Sequence, residues 1–118
     1  MKSRKGNKQR KRLFEAKLHE RNKLMSARLS DELTKKYKIR NVPVRKGDKV
    51  KIIRGKYKKV TGKINKVNLK RMRVFVDGAD RTKIDGSKSF YPLHPSKLII
   101  LELNLDDKKR LKQIKKKE

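Results

Sequence analysis

Residues 44–67 read Val-Arg-Lys-Gly-Asp-Lys-Val-Lys-Ile-Ile-Arg-Gly-Lys-Tyr-Lys-Lys-Val-Thr-Gly-Lys-Ile-Asn-Lys-Val. Aliphatic residues alternate with cations, and glycines punctuate the two runs. A period of two gives a strand one dry face and one wet face. Here the wet face is almost wholly Lys and Arg. The same residues therefore specify a small β-fold and a surface for a polyanion.

The rest of the chain limits how large that fold can be. Of 118 residues, 33% are hydrophobic and 43% are charged, against roughly 45–50% apolar in an ordinary globular chain. This predicts a compact core of about 60 residues, near the lower limit for independent stability. The remainder is expected to order on a partner. A net charge of +27 repels itself and demands a polyanion. The charge is uneven. Residues 1–40 carry 15 Lys/Arg against 4 Asp/Glu, and residues 41–70 carry 11 against 1. Residues 71–105 carry 6 against 4, and residues 106–118 carry 7 against 3. The basic face is thus expected to end near Arg73, with the far side of the β-region turned to protein or solvent.

With no cysteine, the chain has neither a disulfide framework nor a thiolate metal site. Its longest apolar run, Leu98-Ile99-Ile100-Leu101, is strand-sized and far short of a membrane span. The basic N-terminus lacks the apolar core and cleavage site of a signal peptide. An intracellular, soluble product is expected.

Four segments follow from the pattern. Residues 1–12 hold seven Lys/Arg and no acid and read as a basic arm, disordered when free. Residues 13–43 read as short helices and a linker. Over residues 13–25, Phe14, Leu18 and Met25 share a face, with Leu24 beside it. A second helix is capped by Ser30, with Asp31 and Glu32 in its first turn and Lys35, Lys36 and Lys38 in its last. Leu29, Leu33 and Tyr37 form its apolar edge. Pro43 ends the helical region.

Residues 44–104 carry the strands. The first covers residues 49–53, with Val50 and Ile52 inward. A turn follows over residues 55–59. The second strand covers residues 62–68 with Ile64 inward, and Val67 breaks the alternation, which predicts a bulge or bend. After a turn at residues 68–71, Met72, Val74 and Val76 share one face. Residues 82–84 and 89–91 form a hairpin across Asp85-Gly86. Residues 98–103 are the last strand. Short strands with tight turns predict a small antiparallel barrel, so the fold class is mainly β. In the tail, residues 105–118, Asp106 caps a final basic helix.

An enzyme finds little to work with. His19 lies in a basic helix beside Glu20, and His94 lies between Leu93 and Pro95, where loop packing or a phosphate contact suits it better than acid-base chemistry. Asp77, Asp80 and Asp85 stand beside glycines as ordinary turn residues. Gly55 to Lys63 has the wrong spacing for a nucleotide phosphate loop, and Ile64 stands where a Ser or Thr would hold magnesium. No catalytic residue, metal site or cofactor is expected.

The basic clusters are more than a solvated surface, on two grounds. Thirty-nine Lys/Arg face only 12 Asp/Glu, and the cations crowd particular turns. Arg54, Lys56, Tyr57, Lys58 and Lys59 share one turn, where Arg54 and Tyr57 can stack on bases while lysines track phosphates. No helix carries the polar surface of a major-groove reader. Folded RNA, with its irregular grooves, suits a small barrel with flexible arms.

Lys46-Gly47-Asp48-Lys49-Val50, Arg54-Gly55-Lys56-Tyr57-Lys58 and Gly62-Lys63-Ile64 resemble a KOW motif, which opens an SH3-like barrel in ribosomal and transcription-elongation proteins. The flanks narrow the resemblance. Leu24-Met25-Ser26-Ala27-Arg28-Leu29-Ser30, Lys36-Tyr37, Arg40-Asn41-Val42-Pro43-Val44-Arg45, His94-Pro95-Ser96-Lys97 and Leu103-Asn104-Leu105-Asp106 are similar to large-subunit ribosomal protein twenty-four of archaeal and eukaryotic type, twenty-six in eukaryotic naming. One departure is Lys59, where the family usually has a turn glycine. The tail is short beside eukaryotic members.

The resemblance implies a structural constituent of the large ribosomal subunit. It implies a cytoplasmic, ribosome-bound monomer on the 5′ region of large-subunit ribosomal RNA, early in assembly, near the tunnel exit and among neighbouring large-subunit proteins. The alternative is a KOW-domain transcription-elongation or RNA-processing factor. Candidate RNA contacts in the arm are Arg4, Lys8, Arg10, Lys11 and Arg12. Arg21, Arg28, Arg40 and Arg45 follow in the helical segment and its exit. The first turn offers Arg54, Lys56, Tyr57, Lys58 and Lys59. The second strand and next turn offer Lys63, Lys66, Lys70, Arg71 and Arg73, and His94 completes the set.

Overall fold

A computed structural model describes residues 3–117. Met1 and Lys2 of the expected arm, and Glu118 of the tail, lie outside the described residues. Helices α1 (Gly6–Glu15) and α2 (Leu18–Leu24) come first, then strand β1 (Ser26–Leu29), helix α3 (Asp31–Tyr37) and strand β2 (Asn41–Pro43). Strands β3 (Lys49–Ile52), β4 (Thr61–Asn68), β5 (Arg73–Val76), β6 (Asp80–Thr82) and β7 (Lys88–Phe90) follow. A 3₁₀ turn (Pro95–Lys97), strand β8 (Leu98–Glu102) and helix α4 (Lys108–Lys117) end the chain.

Eight strands and four α-helices make up the described residues, and the sheet is mixed and open where an antiparallel barrel is expected from the sequence. Its order is β2-β1-β8-β3-β4-β5, with β6-β7 as a separate hairpin. The difference begins at β1. The sequence pattern puts Leu29 on a helix edge. Instead residues 26–29 are extended, with Ala27 and Leu29 buried. They pair in parallel with β8, Arg28 opposite Ile99 and Leu29 opposite Ile100. All the intervening strands form the crossover that a parallel pair requires.

The expected break in alternation falls inside β4. Ile64 faces Val76 and Lys66 faces Phe75, so Asn65 is the extra residue of a bulge. The bulge resets the phase of the strand. Ile64 and Val67 both point in, although three positions apart, and Lys63 and Lys66 both stay exposed. It also divides β4 between partners, since Thr61–Lys63 pair with β3 and Ile64–Asn68 with β5. Gly62 is required at this crossing, because a Cβ there would run into the Asp77 carbonyl oxygen. Met25, Ile52, Ile64, Val74, Leu98 and Ile100 fill the core between these strands.

Other boundaries moved for local reasons. The N-terminal helix starts at Gly6, within the expected arm, and breaks at Ala16–Lys17 before α2. Its Arg, Lys and Gln residues are good helix formers. Met72 lies in the turn before β5 at φ +54° and is half-buried. In the β6–β7 hairpin the strands begin at Asp80 and Lys88, and Asp85 accepts hydrogen bonds from the Ser87 amide and hydroxyl at 3.0 and 2.7 Å. Ser30 caps α3 as expected, accepting from Leu33 N. At α4 the capping contact belongs to Asp107, whose Oδ1 accepts from Lys109 N at 2.9 Å, and not to Asp106.

Candidate nucleic-acid interface

The wet face of the central strands is a track of cations. β3 contributes Lys49 and Lys51, and β4 contributes Lys63 and Lys66. Lys49 stands opposite Lys63, a like-charge pair that costs stability. Lys49 offsets part of this by pairing with Glu102 at 3.2 Å. The turn before β4 adds Arg54, Lys56, Lys58 and Lys59. The turn after it adds Lys70 and Arg71, followed by Arg73 on β5. All seven are exposed. No carboxylate among the described residues pairs with them or with Lys63 and Lys66. At about 3.3 Å per residue, the track along β4 spans roughly 25 Å.

Lys59 holds its place in the turn by backbone geometry. Its φ is +73°, and its amide donates to the Ile52 carbonyl at 2.8 Å. This is left-handed backbone that disfavours a residue bearing a Cβ. The cation at the tip is thus kept at a conformational cost.

Several other candidates are tied into the protein. The Tyr57 hydroxyl donates to the Asp80 carbonyl at 2.8 Å, and its ring packs on Tyr91 with centroids 5.3 Å apart. Tyr57 thereby anchors the turn to β6 and leaves a half-buried ring. Arg21 donates to Ala16 O at 3.0 Å, to Phe14 O at 2.8 Å and to Lys70 O. It fastens both N-terminal helices to the β4–β5 turn. Arg45 pairs with Asp107. Asp107 is held below the ordinary carboxylate value of 3.8 by the Lys109 amide first and by Arg45 second. Arg28 lies 3.6 Å from Asp31, and Lys11 lies 3.9 Å from Glu15, both on the surface. Arg4, Lys8, Arg10 and Arg12 are exposed on or beside α1, which buries none of its residues, and Arg40 is exposed before β2.

His94 caps the 3₁₀ turn. Its Nδ1 accepts from Ser96 N at 3.2 Å and lies 2.7 Å from Ser96 Oγ. Burial, then the charges of Arg73 and Lys97, hold its pKa below the ordinary 6.5. A neutral imidazole beside two cations continues the basic surface without adding charge.

Sequence reasoning missed the cluster that holds the tail. Asp48 is fully buried, and Arg110 is 2% exposed. The guanidinium binds both carboxylate oxygens, at 2.6 and 2.7 Å. Asn104 N and Arg45 N also donate to Asp48, at 2.8 and 3.1 Å. Nothing in the sequence separates Arg110 from the six other tail cations. Its partner lies sixty-two positions away.

The result is a small open β-sheet whose cations from Arg54 to Arg73 are exposed and unmatched by carboxylates among the described residues, with a basic tail pinned by Asp48. The comparison with protein families is specific. Residues 3–117 match the model described as ribosomal proteins L26 eukaryotic, L24P archaeal, and the chain belongs to that family. It is accordingly a ribosomal protein of the large subunit. The match lends no support to a transcription or processing factor.

Proposed function

We propose that this chain is a non-catalytic constituent of the large subunit that binds large-subunit ribosomal RNA along the β3–β4–β5 track. The cations of that track from Arg54 to Arg73 are exposed and unmatched by carboxylates among the described residues, and this observation carries the reading. Phosphate neutralisation supplies affinity, while the bent sheet and its turns fix where the cations stand. The bend at Asn65 and the two basic turns suit an SH3-like arrangement of β3, β4 and β5. The family resemblance adds the 5′ region of the RNA, early assembly, the tunnel-exit neighbourhood and neighbouring large-subunit proteins, with the chain as a monomer in cytoplasmic ribosomes.

Salt titration tests it. Nine cations are exposed and unpaired between Arg54 and Arg73. If half of them contact phosphate, the slope of log K against log salt is about −3 to −4, at roughly 0.7–0.9 per phosphate. A flat response would end this reading. Co-sedimentation with large subunits at high salt separates a constituent from a transient factor.

A further inference from the structure

Residues 93–97 join the ends of the two basic turns. On one side, Leu93 and Val74 of β5 exchange both backbone hydrogen bonds, at 2.8 and 2.9 Å, as an antiparallel bridge. On the other, Ile53 N donates to the Lys97 carbonyl at 2.9 Å, one residue before Arg54. Val74 and Leu93 are buried. The next residues along, Arg73 and His94, therefore stand opposite each other on the outward face. They flank a hydrogen-bonded pair, so they take the non-hydrogen-bonded position, where side chains come closest.

Arg73 is exposed, and His94 and Lys97 are half-buried. No carboxylate among the described residues pairs with Arg73 or Lys97. The His94 ring has a fixed polarity. A backbone amide can only donate, so the bond from Ser96 N at 3.2 Å makes Nδ1 the acceptor. The neutral ring then carries its proton on Nε2. That N–H meets no acceptor among the described residues, and it is not buried, so a ligand can reach it. A free N–H donor beside two unpaired cations matches an anion with several acceptor oxygens.

We infer that Arg73, Lys97 and the Nε2–H of His94 hold one phosphate of the bound RNA where the two basic turns meet. The inference rests on the proposed RNA-binding role and extends the track past β5 to a proton-linked site. The charged groups acting on the ring are Arg73 from β5 and Lys97 from its own turn, both positive. Burial first, then these charges, favour the neutral ring in the free chain. A phosphate offsets both charges and favours the imidazolium. Ser96 Oγ, 2.7 Å from Nδ1, is placed to accept from the newly protonated nitrogen. RNA binding therefore takes up protons at His94, and affinity rises as pH falls.

The test uses the full chain and a transcript of the 5′ region of large-subunit ribosomal RNA. Filter binding at fixed salt is expected to tighten about threefold or more between pH about 7.5 and about 5.5. His94→Asn keeps an acceptor for Ser96 N and cannot titrate, so it is expected to lose most of that dependence. His19→Asn, at the only other histidine, is expected to keep it. A second readout needs no variant. Calorimetry near pH 6 in two buffers of different ionisation enthalpy is expected to show net proton uptake on binding. No uptake, or an unchanged pH dependence in His94→Asn, overturns the subsite. Stronger pH-linked binding of polyaspartate than of the transcript would assign the cluster to an acidic protein surface and overturn it too. The salt slope is measured on the same protein. An intact slope with pH-independent affinity overturns only the subsite, whereas a flat slope overturns the RNA-binding role as well.

Discussion

Arg110 of the C-terminal helix grips Asp48 of the β2–β3 turn through both carboxylate oxygens, at 2.6 and 2.7 Å, with both residues buried. The two ends of the β-region are thereby fastened by one pair. Removing a single partner leaves a charge buried and unmatched, which costs about 3–5 kcal/mol. Arg110→Met and Asp48→Asn are each expected to lower the unfolding free energy, read from urea melts, by that order. The double change Asp48→Asn with Arg110→Met is expected to cost less than the sum of its parts. Additive losses would show that the pair does not act as a unit.

Lys59 occupies left-handed backbone at φ +73°. Lys59→Gly relieves the Cβ conflict but loosens the unfolded chain, for a net gain of about 0.5–1 kcal/mol. It also removes one cation, so the salt slope for RNA binding is expected to shrink by roughly 0.7–0.9. Chemical denaturation and salt titration of one variant read the two effects separately. A destabilised Lys59→Gly would contradict the strain assigned to this tip.

Gly62 lies where β4 crosses the end of β5, and an added Cβ would meet the Asp77 carbonyl. Backbone cannot move aside as a side chain does. Gly62→Ala is expected to destabilise by about 1–3 kcal/mol, while the neighbouring Thr61→Ala, at an exposed position, changes stability by less than about 0.5 kcal/mol. Equal effects in thermal melts would refute the close approach.

What was legible in the sequence was local. Val50, Ile52, Ile64, Val74 and Val76 alternate, and all are buried. Val67 announced the bulge because only an extra residue keeps it and Ile64 on one face. Ser30 announced its helix because a cap needs only the next few residues. The parallel β1–β8 pair was not legible. Four residues, Ser26–Leu29, are too few to show a period, and their partner lies at the far end of the chain. The buried pair stayed hidden for the same reason, since a charge is recognised as buried only when the surface that covers it is known. At the candidate interface, the sequence indicated where cations gather but not which are engaged. Arg21 and Arg45 look like Arg54 in sequence, yet they spend their donors on carbonyls and on Asp107.

That distinction ranks the candidate contacts. Arg54 and Lys58 stand on a turn anchored by Tyr57 and by the Lys59 amide, so they meet RNA with little ordering cost. Lys112 and Lys115 lie on exposed helix surface in the tail. The pair Arg54→Ala with Lys58→Ala is expected to weaken RNA binding at least threefold more than Lys112→Ala with Lys115→Ala. Filter binding at one salt concentration decides it, and equal losses would place the tail on a par with the turn.

His94 makes stability depend on pH in a direction its surroundings dictate. Its Nδ1 accepts from Ser96 N, so protonation there removes the acceptor and turns repulsion toward the amide. Burial first, then Arg73 and Lys97, hold its folded pKa below 6.5. Between that lowered value and 6.5 the unfolded chain binds more protons than the folded one. Acid in this window therefore favours unfolding. The contribution of a neutral His94 is complete above 6.5 and is lost as pH falls through the lowered folded value. His94→Asn keeps an acceptor for the 3₁₀ cap and cannot titrate. Its urea midpoint is expected to hold steady between neutral pH and pH about 5.5, where the parent protein's falls. Parallel decline of the two proteins across that window would assign the pH dependence to groups other than His94.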